Sequence, residues 1–313
     1  MLSRSRLRKA LIGLARWLCA GILLYAAGRQ IVAELKKLHG REINLDLALL
    51  FAGALLYTAA MSCFASYWRQ TALDMGGRPG SLEVQRAYFA SQLGKYIPGK
   101  AWVILIRCAL LDNQSTTTPV IIASTFYETL AMMAAGSALA VVALLAVGDA
   151  QPAMFALAAG LTAGLLLAVL PPVFGRLTTW TARSFQKAGS IPIATITYAT
   201  WFQAFRYCIP GWMAMGLSLL LIAGSLGISM FSLPGFLLAC GSIALAVVGG
   251  FAVLIVPAGL GVREWVMMQT LGPSIGISNA VLIAILARIT HVSVELFVAG
   301  CLYLLGRRRI KND

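Results

Sequence analysis

The chain has 313 residues, of which 59% are hydrophobic and only 12% charged, and its mean hydropathy is +0.83. A soluble domain carries about 25% charged residues, so soluble enzymes and soluble binding modules are excluded. The formal net charge of +14 does not point to nucleic acid either. The basic residues sit in short segments between apolar runs, the positive-inside pattern of a multi-span protein. Anionic headgroups are their simplest partners, and no nucleic-acid-binding motif accompanies them.

In chain order, the first apolar run covers about 11–30, after Arg4, Arg6, Arg8 and Lys9. It begins like a signal sequence but is too long and lacks a small-residue cleavage site, so it reads as a retained first helix with a cytoplasmic N-terminus. The segment 29–46 is nearly balanced in charge and falls outside; His39 within it is read as solvated. A second span covers about 47–67. The next segment, 81–111, is amphipathic and broken by Pro98-Gly99. It belongs to a stretch rich in Arg and Lys, including Lys95, Lys100 and Arg107, which places both its ends in the cytoplasm. Its apolar pieces fall short of the roughly 20 residues that cross a bilayer, so a re-entrant hairpin is expected.

Spans follow at about 119–147, 152–173 and 193–223, the last with Pro210-Gly211 in its middle. The loop after 173 carries Arg176, Arg183 and Lys187 and is cytoplasmic, whereas 148–153 and 224–233 hold no Lys or Arg and face out. The very apolar 234–256 ends in Pro257-Ala258-Gly259-Leu260-Gly261, and a final span covers about 277–305 before Arg307, Arg308, Arg309 and Lys311. Parity requires 234–276 either to form a second hairpin, the preferred reading, or to cross twice and give eight spans. The expected fold is therefore all-α and membrane-integral, a single domain over 1–313 with six to eight transmembrane helices and two re-entrant hairpins. The halves, about 47–147 and 193–305, read as an inverted repeat: Pro98 precedes Glu128 by 30 residues and Pro257 precedes Arg288 by 31. Interrupted segments at matching places in two halves are a transporter signature; two unrelated Pro-Gly turns would look the same.

A charge inside the hydrocarbon layer costs at least about 2.5–3.5 kcal/mol, so the intramembrane ionisable residues stand out. They are Glu128, Arg206, Arg288, His291 and Glu295, the last three on one helical face by their spacing. One reading is a polar path, with Arg206 and Arg288 holding a lipid phosphate through the planar guanidinium fork and Glu128, His291 and Glu295 balancing charge or carrying protons. The other is a set of buried ion pairs, such as Glu128 with Arg288, that fix packing; the two can coexist. At the hairpin tips, Pro98, Gly99, Pro257, Gly259 and Gly261 free backbone groups, and the helices that follow point their N-terminal amides at an anion. Lys100 and Arg263-Glu264 lie beside these tips. A blander reading makes the hairpins interfacial helices, with Lys95 and Lys100 snorkelling to headgroups.

The six cysteines are scattered and read as packing residues, with no disulfide framework and no zinc spacing. No GxSxG, HExxH or P-loop pattern occurs. No catalytic residue, metal or cofactor is expected, and the protein is not expected to be an enzyme.

Around the two tips the sequence resembles a known family, the flippase-like membrane proteins related to the transmembrane domain of lysylphosphatidylglycerol synthase. The carrying residues are Gly94-Lys95-Tyr96-Ile97-Pro98-Gly99-Lys100, Glu128 and Pro257-Ala258-Gly259-Leu260-Gly261-Val262-Arg263-Glu264. Ala258 stands where the family usually has glycine, and Thr129 where it often has arginine. The resemblance implies translocation of amphipathic lipids: aminoacylated phosphatidylglycerol in one branch, polyprenyl-linked sugars or other lipids elsewhere. Nothing follows Asp313, so the soluble synthase domain and its aminoacyl transfer are not expected.

The expectation is thus a lipid flippase of the inner (cytoplasmic) membrane, with both termini cytoplasmic. Its cargo would be an anionic lipid or a polyprenyl-phosphate-linked sugar. The headgroup would be held by Lys100, Arg107, Arg206, Arg263 and Arg288 around Pro98, Gly99, Pro257, Gly259 and Gly261, with Glu128, Glu264, His291 and Glu295 gating or coupling. A glycosyltransferase or lipid synthase is the candidate protein partner. Two alternatives stay open. A membrane glycosyltransferase using a lipid-linked donor would need an acidic base at an outer loop, where only Asp149 and the acids of 29–46 qualify. An accessory scaffold of a synthesis complex would move nothing by itself.

Overall fold

A computed structural model of the chain describes residues 44–96, 101–111, 116–148, 151–176, 196–253 and 257–310. The expected first span, Pro98, Gly99 and Lys100, and most of the basic loop after 176 lie outside these. The described residues are helical, without a strand. In chain order the helices are α1 (Leu47–Asp74), α2 (Ser81–Gln92), α3 (Ala101–Leu111), α4 (Thr118–Val147), α5 (Pro152–Val169), α6 (Tyr198–Ser225), α7 (Leu233–Ala252), α8 (Val262–Ile275) and α9 (Ile277–Ile310). A 3-10 turn, Leu93–Tyr96, follows α2, and another, Pro257–Gly259, precedes α8.

Among the described residues, six helices are long and apolar enough to cross a membrane: α1, α4, α5, α6, α7 and the Ile277–Leu302 part of α9. This is a multi-pass membrane protein. Helix starts follow from local chemistry. The Asp46 carboxylate accepts from the amides of Ala48 and Leu49 at 2.9 and 3.1 Å. Ser232 and Thr197 cap α7 and α6 in the same way, and proline occupies the first turn of α4, α5 and α7, where its missing amide is one no helix can satisfy. Bulky apolar side chains such as Phe51, Phe126, Phe202 and Phe297 point outward, as a lipid-facing surface requires.

Among apolar surfaces there is little hydrophobic drive for helices to associate in lipid, so close approach has to come from small residues. The most extensive interface joins α1 to α6, where the Ser218 hydroxyl donates to the Gly53 carbonyl at 2.7 Å. Helix α6 meets α7 at Gly216, where a Cβ would lie 2.7 Å from the Cys240 Cα. Helix α6 runs unbroken through Pro210, so the midpoint Pro-Gly of that span is no discontinuity. Gly211 instead seats the Phe64 ring, and the neighbouring Trp212 donates its indole N–H to the Met132 carbonyl at 2.9 Å.

The two short-helix regions have unequal legs. Helices α2 (12 residues) and α3 (11 residues) pack on each other and, at 1.5 Å per residue, are each far short of a bilayer's depth. Helix α7 has 20 residues and reaches across unaided, while α8 has 14 and does not. The two 3-10 turns touch each other. The contacts also pair up between halves: α4 on α6 matches α9 on α1, and α4 on α7 matches α9 on α2.

Candidate functional site

Buried ionisable groups fall into two clusters with different character. The first joins α3 to α4. Arg107 and Glu128, 2% and 1% exposed, form an ion pair at 2.9 Å. The Arg107 guanidinium also donates to Ser91 at 3.1 Å and Thr125 at 3.3 Å. It lies 4.1 Å from the Trp68 ring and 4.7 Å from that of Tyr88. Glu128 further accepts from Tyr88 and Thr129, both at 3.4 Å. Among the described residues, both charges are thus compensated within the cluster, and the guanidinium lies against two aromatic rings. The pairing imagined from sequence, Glu128 with Arg288, does not form; each takes a different partner.

The second cluster lies where the two 3-10 turns meet α9. Its centre is Glu295, fully buried. Its carboxylate accepts from Tyr57 of α1, from the Lys95 ammonium at 2.5 Å and from the Tyr96 hydroxyl at 3.0 Å. One turn earlier on α9, the His291 ring stacks on Tyr57 with centroids 3.8 Å apart and planes 9° from parallel. One turn earlier again, Arg288 pairs with Glu264 of α8 at 2.5 Å. Glu264 also accepts the Gly261 amide at 2.7 Å and so closes the start of α8, a capping arrangement that uses an acid in the first turn.

Arg263 belongs to the same group. Its charge acts on Tyr57, Lys95, Tyr96, Arg288 and His291, and its side-chain stem covers Gly250. That approach has a backbone reason. Gly259 has φ +64°, and a Cβ on it would come within 2.8 Å of the Gly250 Cα. The two glycines dock the second turn on the end of α7 and aim the start of α8 at α9. Ala258 sits beside it at φ 49°, the one non-glycine with positive φ among the described residues.

This second cluster is not self-sufficient. Arg263 has no hydrogen-bond or ion-pair acceptor among the described residues. Arg288 Nη2 and His291 Nε2 are buried without a hydrogen-bond partner among the described residues. A buried donor without an acceptor costs about 1–3 kcal/mol, more when charged, so such atoms need an occupant to be tolerable.

Of the residues expected from sequence, the fold brings together Arg263, Arg288, Glu264, His291, Glu295, Gly259 and Gly261. Arg107 and Glu128 are consumed by each other. Arg206 is exposed on α6 and shares no bond with either cluster among the described residues. Pro98, Gly99 and Lys100, and the side chain of Pro257, lie outside the described residues. Tyr57, Lys95 and Tyr96 were not expected as site residues. Tyr57 carried a usable signal, because a tyrosine in mid-span needs a partner for its hydroxyl. Lys95, which the blander reading sent to the headgroups, pairs with Glu295 instead.

No curated protein matches the chain. A family model described as the lysylphosphatidylglycerol synthase TM region matches residues 9–299, nearly the whole length, and the chain belongs to that family.

Proposed function

We propose that this protein carries the headgroup of an anionic lipid or a polyprenyl-phosphate-linked sugar across the cytoplasmic membrane while the tails stay in the bilayer. Family membership supports a lipid-related role. The observation that carries the reading is the second cluster: among the described residues, Lys95 and Arg288 pair with Glu295 and Glu264, Arg263 has no acidic partner, and two buried nitrogens, Arg288 Nη2 and His291 Nε2, have no hydrogen-bond partner. A phosphate brings oxygen acceptors to those atoms. The opening turn of α8 adds the positive end of the helix dipole. Because non-helical backbone at membrane depth survives only where protein or water covers it, the touching 3-10 turns fit a shielded passage.

The paired contacts between halves support an inverted repeat, 47–147 against 193–305, with the turns as its two tips. In this reading the Lys95–Glu295 bond links the first tip to the last helix of the second half. An arriving phosphate competes with Glu295 for Lys95 and loosens that link, which gates movement from one side to the other. The Lys- and Arg-rich segments support a cytoplasmic location for both termini.

The test is reconstitution of the purified chain in liposomes containing a fluorescent anionic phospholipid, with leaflet exchange followed by bleaching of the outer leaflet. Arg263→Ala and Arg288→Ala are expected to abolish exchange while the protein stays folded. Exchange at the parent rate in both variants overturns the proposal.

A further inference from the structure

We propose that the site selects a phosphodiester with a single negative charge over a diphosphate; this rests on the carrier reading above and narrows its cargo. The charge count carries it. Lys95 is neutralised by Glu295 and Arg288 by Glu264. Among the described residues, with histidine counted as neutral, that leaves Arg263 as one uncompensated positive charge, beside His291 Nε2 and the spare Arg288 Nη2, both buried without a partner there. In a buried site, charge that does not cancel is expensive for either partner. A phosphodiester cancels the excess and offers two free oxygens, one for Arg288 Nη2 and one for His291 Nε2. A diphosphate brings more negative charge than the site holds and leaves oxygens unpaired. A phosphomonoester, at about −1.5 to −2 near neutral pH, falls between them. His291 is more than nine-tenths buried and stacked on Tyr57, so its free nitrogen is held in place. The same phosphate chemistry occurs in a lipid headgroup and in free phosphate, and the site's place among membrane-spanning helices assigns the lipid.

The experiment is competition against a fluorescent phosphatidylglycerol bound to the purified full chain in detergent. The competitors are unlabelled phosphatidylglycerol, a polyprenyl-phosphate hexose, a polyprenyl diphosphate, diacylglycerol and inorganic phosphate. Both phosphodiesters are expected to compete at least about tenfold better than the diphosphate, the factor that about 1.4 kcal/mol gives. Glu264→Gln keeps the capping acceptor but adds one net positive charge, and is expected to shift the preference about tenfold toward the diphosphate. Glu295→Gln makes the same change away from the α8 cap and covers the case in which the first variant fails to fold. A diphosphate that competes as well as the phosphodiesters against the parent protein overturns the charge count and leaves the carrier reading standing. Loss of all distinction between anionic lipids and diacylglycerol overturns both. Inorganic phosphate competing as well as the lipids overturns the lipid assignment. Lys100 lies outside the described residues, so Lys100→Gln is compared as well; a changed preference there overturns the count.

Discussion

Arg107→Ala separates a structural ion pair from a transport residue. In the parent, the guanidinium makes one charged bond of 2.9 Å to Glu128 and two bonds to Ser91 and Thr125, and is enclosed by the Trp68 and Tyr88 rings. Truncation leaves Glu128, 1% exposed, with only the 3.4 Å bonds from Tyr88 and Thr129. Removing one member of a buried pair costs about 3–5 kcal/mol, because the remaining charge is left without compensation. The loss of two aromatic contacts, each worth up to about 2 kcal/mol when desolvated, pushes the value to the top of that range. Replacing both members together, Arg107→Met with Glu128→Leu, removes both charges and refills the space, and such swaps are close to neutral. The assay is unfolding of the detergent-solubilised protein in denaturing surfactant, paired with leaflet exchange in liposomes. The single variant is expected to lose about 3–5 kcal/mol. The double variant is expected to recover most of it and to exchange lipid near the parent rate. A double variant that is stable yet moves no lipid refutes the assignment of this pair to packing and returns Arg107 and Glu128 to the transport path.

Three further outcomes are expected. Tyr57→Phe removes one of three donors to Glu295 at a cost of about 1.5–3 kcal/mol, the usual size of a bond to a charged group, read in the same unfolding assay. Gly216→Ala forces α6 and α7 apart against the Cys240 backbone and is expected to cost about 1–3 kcal/mol; an unchanged unfolding midpoint would mean the helices do not meet there. Ala258→Gly relaxes the left-handed backbone at φ 49° and is expected to stabilise by about 1 kcal/mol, visible as a raised unfolding midpoint without loss of exchange.

Much of the architecture could be read along the chain. The spans expected at 47–67, 119–147, 152–173, 193–223 and 277–305 all have a helix in place, within a few residues at most ends. This works because a bilayer imposes length and apolarity on every crossing segment independently of its neighbours. Misjudgements came where a residue's role depends on what packs against it. Arg206 looks buried by position in its span, yet it is exposed, because helical phase relative to the bundle is set by partners rather than by sequence.

Charge pairing was the least legible feature. Glu128, Arg288, His291 and Glu295 announce themselves by their cost in an apolar run, and the spacing of the last three puts them on one face. Which cation each acid takes is a separate matter. Glu128 pairs with Arg107 across 21 residues, and Glu295 with Lys95 across 200. Composition and periodicity are local properties, sufficient to make this a helical membrane protein with costly charges inside it. Partner choice is a long-range property, set by helix packing and by the two glycines that bring the second turn against α7. Only in the folded molecule does one acid become locked in a pair with Arg107 while the other gathers Tyr57, Lys95 and Tyr96 around it.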